Sequence, residues 1–188
     1  GGYYVGRSLR PRESPVDYEL RLFGFPLLAP PRSSSYCSGA TYAAFVEALN
    51  LLFPDGSAKL GPGRLEELRM QERDGATRLD YVKVWGNWNS QWGHELALVS
   101  LTGMGEKVPP ERARPGDFVN ISWRAGKGHA AVFLGWAERD GSLQMLFWSS
   151  QKHTRGYGDR LVPLSKIKEA RFVRLTHPER VFTFPVTM

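Results

Sequence analysis

The chain has 188 residues, of which 41% are hydrophobic and 23% are charged, a balance typical of one globular domain with a single core. Its apolar runs are too short to cross a bilayer, so the sequence predicts no membrane span. The formal net charge of +6 favours an anionic partner. The lysines and arginines are scattered rather than grouped in a stripe, which argues against nucleic acid as that partner.

The first helix is the clearest element of the pattern. Residues 1–32 are rich in proline and arginine, which favours an irregular N-terminal arm with a short strand or turn near 18–23. Residues 33–53 predict a helix that is apolar on most sides and is therefore buried. Three serines at 33–35 are its candidate N-caps, and Cys37 falls in its first turn.

The rest of the chain predicts two more short helices and then a sheet. The helices are expected at 64–70 and 94–101, with a tryptophan-rich loop at 85–93 between them. Four antiparallel strands follow, at 118–123, 128–136, 143–149 and 170–175. A buried helix followed by such a meander places the chain in the α+β class.

Cys37 is the candidate nucleophile. A helix N-terminus carries partial positive charge and free N–H groups, which favour the thiolate and can hold an oxyanion. The competing interpretation is a small buried apolar residue, as free cysteines often are. As the only cysteine, Cys37 excludes an internal disulfide. His94 begins a zinc-like motif, but Leu98 stands where its second histidine is needed, so no metal and no other cofactor are expected.

His129 is the candidate base, since it opens an apolar strand that can pack beside the helix start. A hairpin turn at 139–141 places Ser150 or Gln151 opposite His129. Gln151 is favoured as the group that orients the imidazole, because its side-chain carbonyl can accept the ring N–H. Ser150 and Ser149 stay open as alternatives, and His153 is a competing base.

Aromatic and amide side chains supply candidates for substrate binding. Flat aromatic faces combined with amides suit sugars or peptide backbones, although packing beneath a long loop explains the tryptophan-rich segment equally well. The candidates are Tyr36, Trp85, Trp88, Asn89, Trp92 and Trp148.

Three ordered motifs resemble the NlpC-type cell-wall peptidases of the papain-like cysteine peptidase superfamily. They are Tyr36-Cys37-Ser38-Gly39, then Arg114-Pro115-Gly116-Asp117-Phe118-Val119, then Gly128-His129-Ala130-Ala131-Val132-Phe133-Leu134-Gly135. The resemblance covers about residues 33–155. It implies a papain-like fold with a Cys-bearing helix packed on an antiparallel sheet. It also implies Cys37 as nucleophile, His129 as general base and acid, and Gln151 or Ser150 as the orienting residue.

The resemblance further implies hydrolysis of amide bonds in bacterial cell-wall peptides, through a thioacyl intermediate. The expected partner is a peptide or peptidoglycan fragment, bound by a monomer that is one domain over residues 33–188. A secreted or periplasmic location is expected, although the chain carries no signal peptide and a cytoplasmic location stays open. Tyr36 stands where the family usually has Asp, which marks a divergent member. A non-catalytic cell-wall glycan or peptide binder and a cysteine acyltransferase are the alternatives.

Overall fold

The computed structural model describes residues 2–3, 16–28, 34–69, 85 and 93–186. This part of the chain is a mixed α+β structure, as the sequence predicts, with three helices and a six-stranded antiparallel sheet. The helices are α1 (Cys37–Leu52), α2 (Pro62–Leu68) and α3 (Glu95–Leu101), the last wound as a π-helix. None of these helices combines the length and the apolar character that a bilayer crossing requires.

Within the described ranges, ten strands accompany the helices. They are β1 (Gly2–Tyr3), β2 (Leu20–Leu22), β3 (Phe25–Leu28), β4 (Ser34–Ser35), β5 (Gly105–Val108), β6 (Phe118–Trp123), β7 (Gly128–Arg139), β8 (Ser142–Gln151), β9 (Gly156–Pro163) and β10 (Ile167–Leu175). The main sheet has the order β5-β10-β6-β7-β8-β9, and every neighbouring pair in it is antiparallel. The four predicted strands are confirmed as β6, β7, β8 and β10. Two strands of the main sheet, β5 and β9, were not predicted.

Helix α1 is buried along most of its length, as its apolar pattern predicts. Its start differs from the prediction. The N-cap is Tyr36, whose side chain makes no capping hydrogen bond, and the helix begins at Cys37. Ser34 and Ser35 are not N-caps, because they form β4 and pair in parallel with β1. At the other end of α1, Leu51 is 84% exposed, so the last turn departs from the predicted burial.

The main sheet has a different core on each of its two faces, because successive side chains of a strand point to opposite sides. One face packs against α1 and α3, and Phe118 and Val173 belong to that core. The second core consists of sheet residues with no member from α1, and it includes Phe133 and Phe147. His129 is an even number of residues from Phe133, so its side chain points to the second face.

The β7–β8 hairpin sets the register around the candidate site. Asp140 and Gly141 have φ values of 53° and 68° and form a two-residue turn, with Arg139 paired to Ser142. A bulge at Leu134 shifts the register by one residue, so that Val132 pairs with Trp148. If this register continued along both strands beyond Trp148, residue 151 would lie opposite residue 129.

Candidate active site

The Cys37 sulfur lies where the pairing of β7 with β8 stops. That pairing ends at Val132 and Trp148, although β8 continues to pair with β9 as far as Gln151. In the opened stretch the Ala130 carbonyl accepts a hydrogen bond from the Ser149 hydroxyl at 2.7 Å. The Ala130 N–H is hydrogen-bonded to the Cys37 sulfur. The backbone N–H groups of Ser38 and of Cys37 itself also favour the anionic form of this sulfur. The first residue of α1 is thereby held against the residue that directly follows His129.

The ionisation of Cys37 differs from the expectation drawn from its place at the helix start. The residue is only 6% exposed. Burial raises the pKa of the Cys37 thiol above its ordinary value, because an anion loses its hydration there. The three N–H groups act in the opposite direction but are outweighed. The expected lowering of the pKa is therefore corrected: the resting residue is a neutral thiol.

His129 is packed among aromatic rings on the face of the sheet that is turned away from α1. Its ring centroid is 5.6 Å from that of Phe147 and 6.1 Å from that of Trp123. Burial, followed by the charge of Arg160, lowers the pKa of His129 to about 4, so the imidazole is neutral at pH 7. Its Nε2 is buried without a hydrogen-bond partner. Among the described residues, no hydrogen bond joins His129 to Cys37.

Gln151 has a free hydrogen-bond acceptor, which a residue that orients the His129 imidazole needs. Its side chain is buried, its Nε2 donates to the Gly158 carbonyl at 3.3 Å, and its Oε1 has no partner in the described part of the chain. The two serine alternatives are engaged elsewhere. Ser149 bonds to Ala130, and the Ser150 hydroxyl lies 2.6 Å from that of Ser35. The geometry thus favours Gln151 as the partner of the imidazole.

His129 and Gln151 line one pocket of about 640 Å³. Trp123 and Val162 contribute apolar walls, and Arg160 and His153 also face the cavity. Cys37 is absent from the described residues that line it. Among the residues that the structure describes, the pocket therefore presents the imidazole and the Gln151 amide but not the sulfur.

The candidates for substrate binding are mostly not at this pocket. Trp85 is buried in the α1-side core, with ring centroids 5.0 Å from Phe45 and 5.4 Å from Tyr42. Its expected substrate role is corrected to core packing. The expected substrate role of Tyr36 is also corrected to core packing, because only 1% of its surface is exposed. Trp148 is half-buried and stacks on Tyr157 at 5.5 Å. Trp88, Asn89 and Trp92 lie outside the described residues.

Several residues at the site escaped the sequence analysis. Arg160 and Val162 belong to β9, which was not predicted as a strand, so no face could be assigned to them. Trp123 was placed on a strand, but its neighbour across the face, His129, follows only from the hairpin register. The alternation of side chains along β6 was the one signal that could have paired them.

His94 is a structural residue in the core between α1, α3 and β6. It is 1% exposed, and its Nε2 lies 3.1 Å from the Thr41 hydroxyl. Its backbone N–H donates a hydrogen bond to the side-chain oxygen of Asn120. Burial lowers its pKa to about 3, so it stays neutral. These contacts tie α3 to α1 and to β6.

Comparisons of the chain with protein-family models, with curated proteins and with solved structures gave no match.

The raised thiol pKa predicts slow alkylation. We expect iodoacetamide to label Cys37 at pH 7 at least about tenfold more slowly than the same protein unfolded in urea, because little thiolate forms. The rate should rise about tenfold per pH unit from pH 7 to pH 9, since the raised pKa lies above that range. Mass spectrometry of the single cysteine measures both rates. Fast labelling that does not vary with pH between 6 and 8 would reveal a stable thiolate and contradict the neutral thiol.

Proposed function

We propose that this protein is a cysteine hydrolase that cleaves amide bonds in bacterial cell-wall peptides. One observation carries the proposal: the sulfur at the start of α1 is hydrogen-bonded to the N–H of Ala130, the neighbour of His129, at the point where β7 and β8 separate. The unpartnered Nε2 of His129 and Oε1 of Gln151 at the same end of the hairpin add support. They are a complementary pair: the ring nitrogen can carry a proton, and the side-chain carbonyl oxygen can accept a hydrogen bond from that N–H.

The reaction starts from two neutral groups. The reaction requires the Cys37 sulfur and the His129 imidazole, which share no hydrogen bond at rest, to come into contact where β7 and β8 separate. His129 then takes the proton of the Cys37 thiol as the sulfur attacks the amide carbonyl, and the tetrahedral oxyanion forms beside the N–H groups of the α1 start. The imidazolium then donates its proton to the leaving amine. Water, deprotonated by the same imidazole, releases the acyl group and restores the thiol. Gln151 holds the imidazole through the hydrogen bond that its Oε1 can accept.

A papain-like fold of the NlpC type belongs to this proposal. Helix α1 packs on the sheet against β7 and β8, with the cysteine at its first position, as in the order of elements that the motifs predict. A wall-peptide substrate would place the protein outside the cytoplasm, and the net charge of +6 would draw it to an anionic wall.

Replacing the base tests the proposal. We expect His129→Gln to lower kcat/KM for release of free amines from wall peptides by about a hundredfold or more, because general base catalysis is lost. His177→Gln is the matched control: this side chain is 54% exposed and lies at the C-terminal end of β10, so activity should persist. In the parent, kcat/KM should rise with pH through about 4, as His129 loses its proton, and then stay level across neutral pH. Equal activity of both variants would refute a base at 129.

A second candidate function is a non-catalytic binding domain. The burial of the sulfur and the absence of Cys37 from the pocket lining, among the residues described, favour it. It predicts that His129→Gln changes the affinity for a wall fragment while no amine is released by any variant. Time courses of amine release at high protein concentration separate the two functions.

A further inference from the structure

The rim of the pocket beside His129 carries charge of one sign. Besides the imidazoles, five cationic side chains line it, and no carboxylate does among the residues that the structure describes. The cations are Arg124, Lys127, Lys152, Arg160 and Lys166. Over the whole chain, 25 lysines and arginines face 19 acidic residues. The one-sign rim is therefore a local feature and not a reflection of the overall composition.

The rim cations have no neutralising neighbour in the part of the chain that the structure describes. None of the five makes an ion pair with a carboxylate within the described ranges, whereas Arg174, Arg21 and Arg69 elsewhere all do. Like charges gathered around one concavity repel each other and raise the local potential. Such an arrangement is stabilised when an anion enters and pairs with several of them at once.

The floor of the same pocket is built to position a ligand. Gln151 is 3% exposed and its buried Oε1 has no partner among the described residues, and the same holds for the Nε2 of His129 in the same lining. Trp123 offers an aromatic wall, with the Arg160 guanidinium 5.9 Å from its ring centroid. The turn at 124–127 that carries two of the cations is fixed, since the Arg124 N–H donates to the Lys166 carbonyl at 3.1 Å.

We propose that this pocket binds a compact polyanionic group of the substrate, with three or more negative charges on phosphate or carboxylate oxygens, beside the imidazole of His129. The assignment of this group to a substrate rests on the proposed hydrolase function. Five cations around about 640 Å³ exceed what a single carboxylate can neutralise, and the volume accommodates such a group together with a short peptide segment. The guanidinium of Arg160 can bind two oxygens at once, and the lysines act as point charges around it.

Binding can be measured without turnover on the full chain carrying Cys37→Ala. Calorimetry with inorganic tripolyphosphate, citrate and acetate at about 50 mM salt should show both polyanions binding and acetate failing to bind. A second protein carries Arg160→Gln and Lys166→Gln in addition. We expect it to bind the polyanions at least about tenfold more weakly, because charge-assisted hydrogen bonds are lost. The tighter of tripolyphosphate and citrate identifies phosphate or carboxylate as the natural group.

Lys168→Gln is the matched control. This exposed side chain lies two residues from Lys166, outside the pocket lining, and its loss removes the same single charge as the Lys166→Gln change within the pocket variant. Its effect on affinity should stay below about twofold, since exposed charges farther apart are screened by salt. Equal weakening by the control and by the pocket variant, or no polyanion binding at all, would overturn the site. Because the protein is inactive by design, a failure of the hydrolase proposal leaves this binding result unchanged.

Discussion

Cys37→Ala should abolish hydrolysis, with kcat/KM reduced at least about a thousandfold, while the fold persists. Alanine fits because the residue is small, buried and in a helix, where alanine has the best intrinsic propensity. The N–H of Ala130 would lose its sulfur acceptor at an opened part of the sheet, which costs about 1 kcal/mol of stability. The thermal midpoint and the circular dichroism spectrum should accordingly change little, and release of free amines from wall peptides is the decisive measurement.

A control at a second buried position separates chemistry from packing. Ala43→Gly removes a methyl group from the same helix, within the α1-side core, and should cost a comparable amount of stability without changing the rate. Cys37→Ser keeps an acceptor for the three N–H groups but replaces the nucleophile, so it should be inactive as well. Amine release by Cys37→Ala at the parental rate would exclude a thioacyl intermediate, and the binding domain would become the better interpretation.

The elements that the sequence predicts correctly are those with a strong local pattern. Helix α1 is apolar on most sides, and β7 is almost continuously apolar, so both are visible without tertiary information. Strand β9 is not, because Gly156, Gly158 and Pro163 are residues typical of loops. It becomes a strand through its partner: eight consecutive residues pair with β8, whose far side is already fixed by β7. Missing β9 also meant missing Arg160.

The position of the third residue shows how a prediction can depend on two features together. The turn pairs Arg139 with Ser142. If this register continued unchanged along both strands, residue 152 would lie opposite residue 129. The bulge at Leu134 moves the register by one, so that its continuation beyond the last pair, Val132 with Trp148, leads to Gln151. No sequence pattern announces a bulge, although Gly135 with φ 154° follows it.

The thiol pKa could not be predicted from local sequence. A helix start lowers a thiol pKa where solvent or a counter-charge is near, and the sequence indicates the helix start alone. How deeply the sulfur is buried depends on where β7 and β8 stop pairing, some 90 residues further along the chain. Burial therefore decides the sign of the shift, and it is a property of the assembled sheet.

The Pro-Gly-Asp motif has a structural role that explains its place before β6. Asp117 is almost fully buried. Its two carboxylate oxygens accept hydrogen bonds from the Nε and from one terminal nitrogen of Arg174 on β10, both at 2.8 Å. The same carboxylate accepts the Arg114 N–H at 2.8 Å, which closes the turn. Gly116 has φ 96°, a conformation that favours glycine, and its N–H bonds to Phe133 on β7. One buried carboxylate thus joins the turn to β10.

Asp117→Asn should lower the free energy of unfolding by about 3 kcal/mol, because the guanidinium of Arg174 and the turn N–H lose a buried anionic acceptor. Asp140→Asn is the matched control: this side chain is 88% exposed in the β7–β8 turn, and asparagine suits its positive φ, so stability should change by less than about 0.5 kcal/mol. Urea unfolding followed by tryptophan fluorescence measures both variants. With Arg174→Gln added, the double variant should be less destabilised than the sum of the two single changes, since both remove the same interaction. Strict additivity would show that the two side chains act independently and that the motif does not fix β6 to β10.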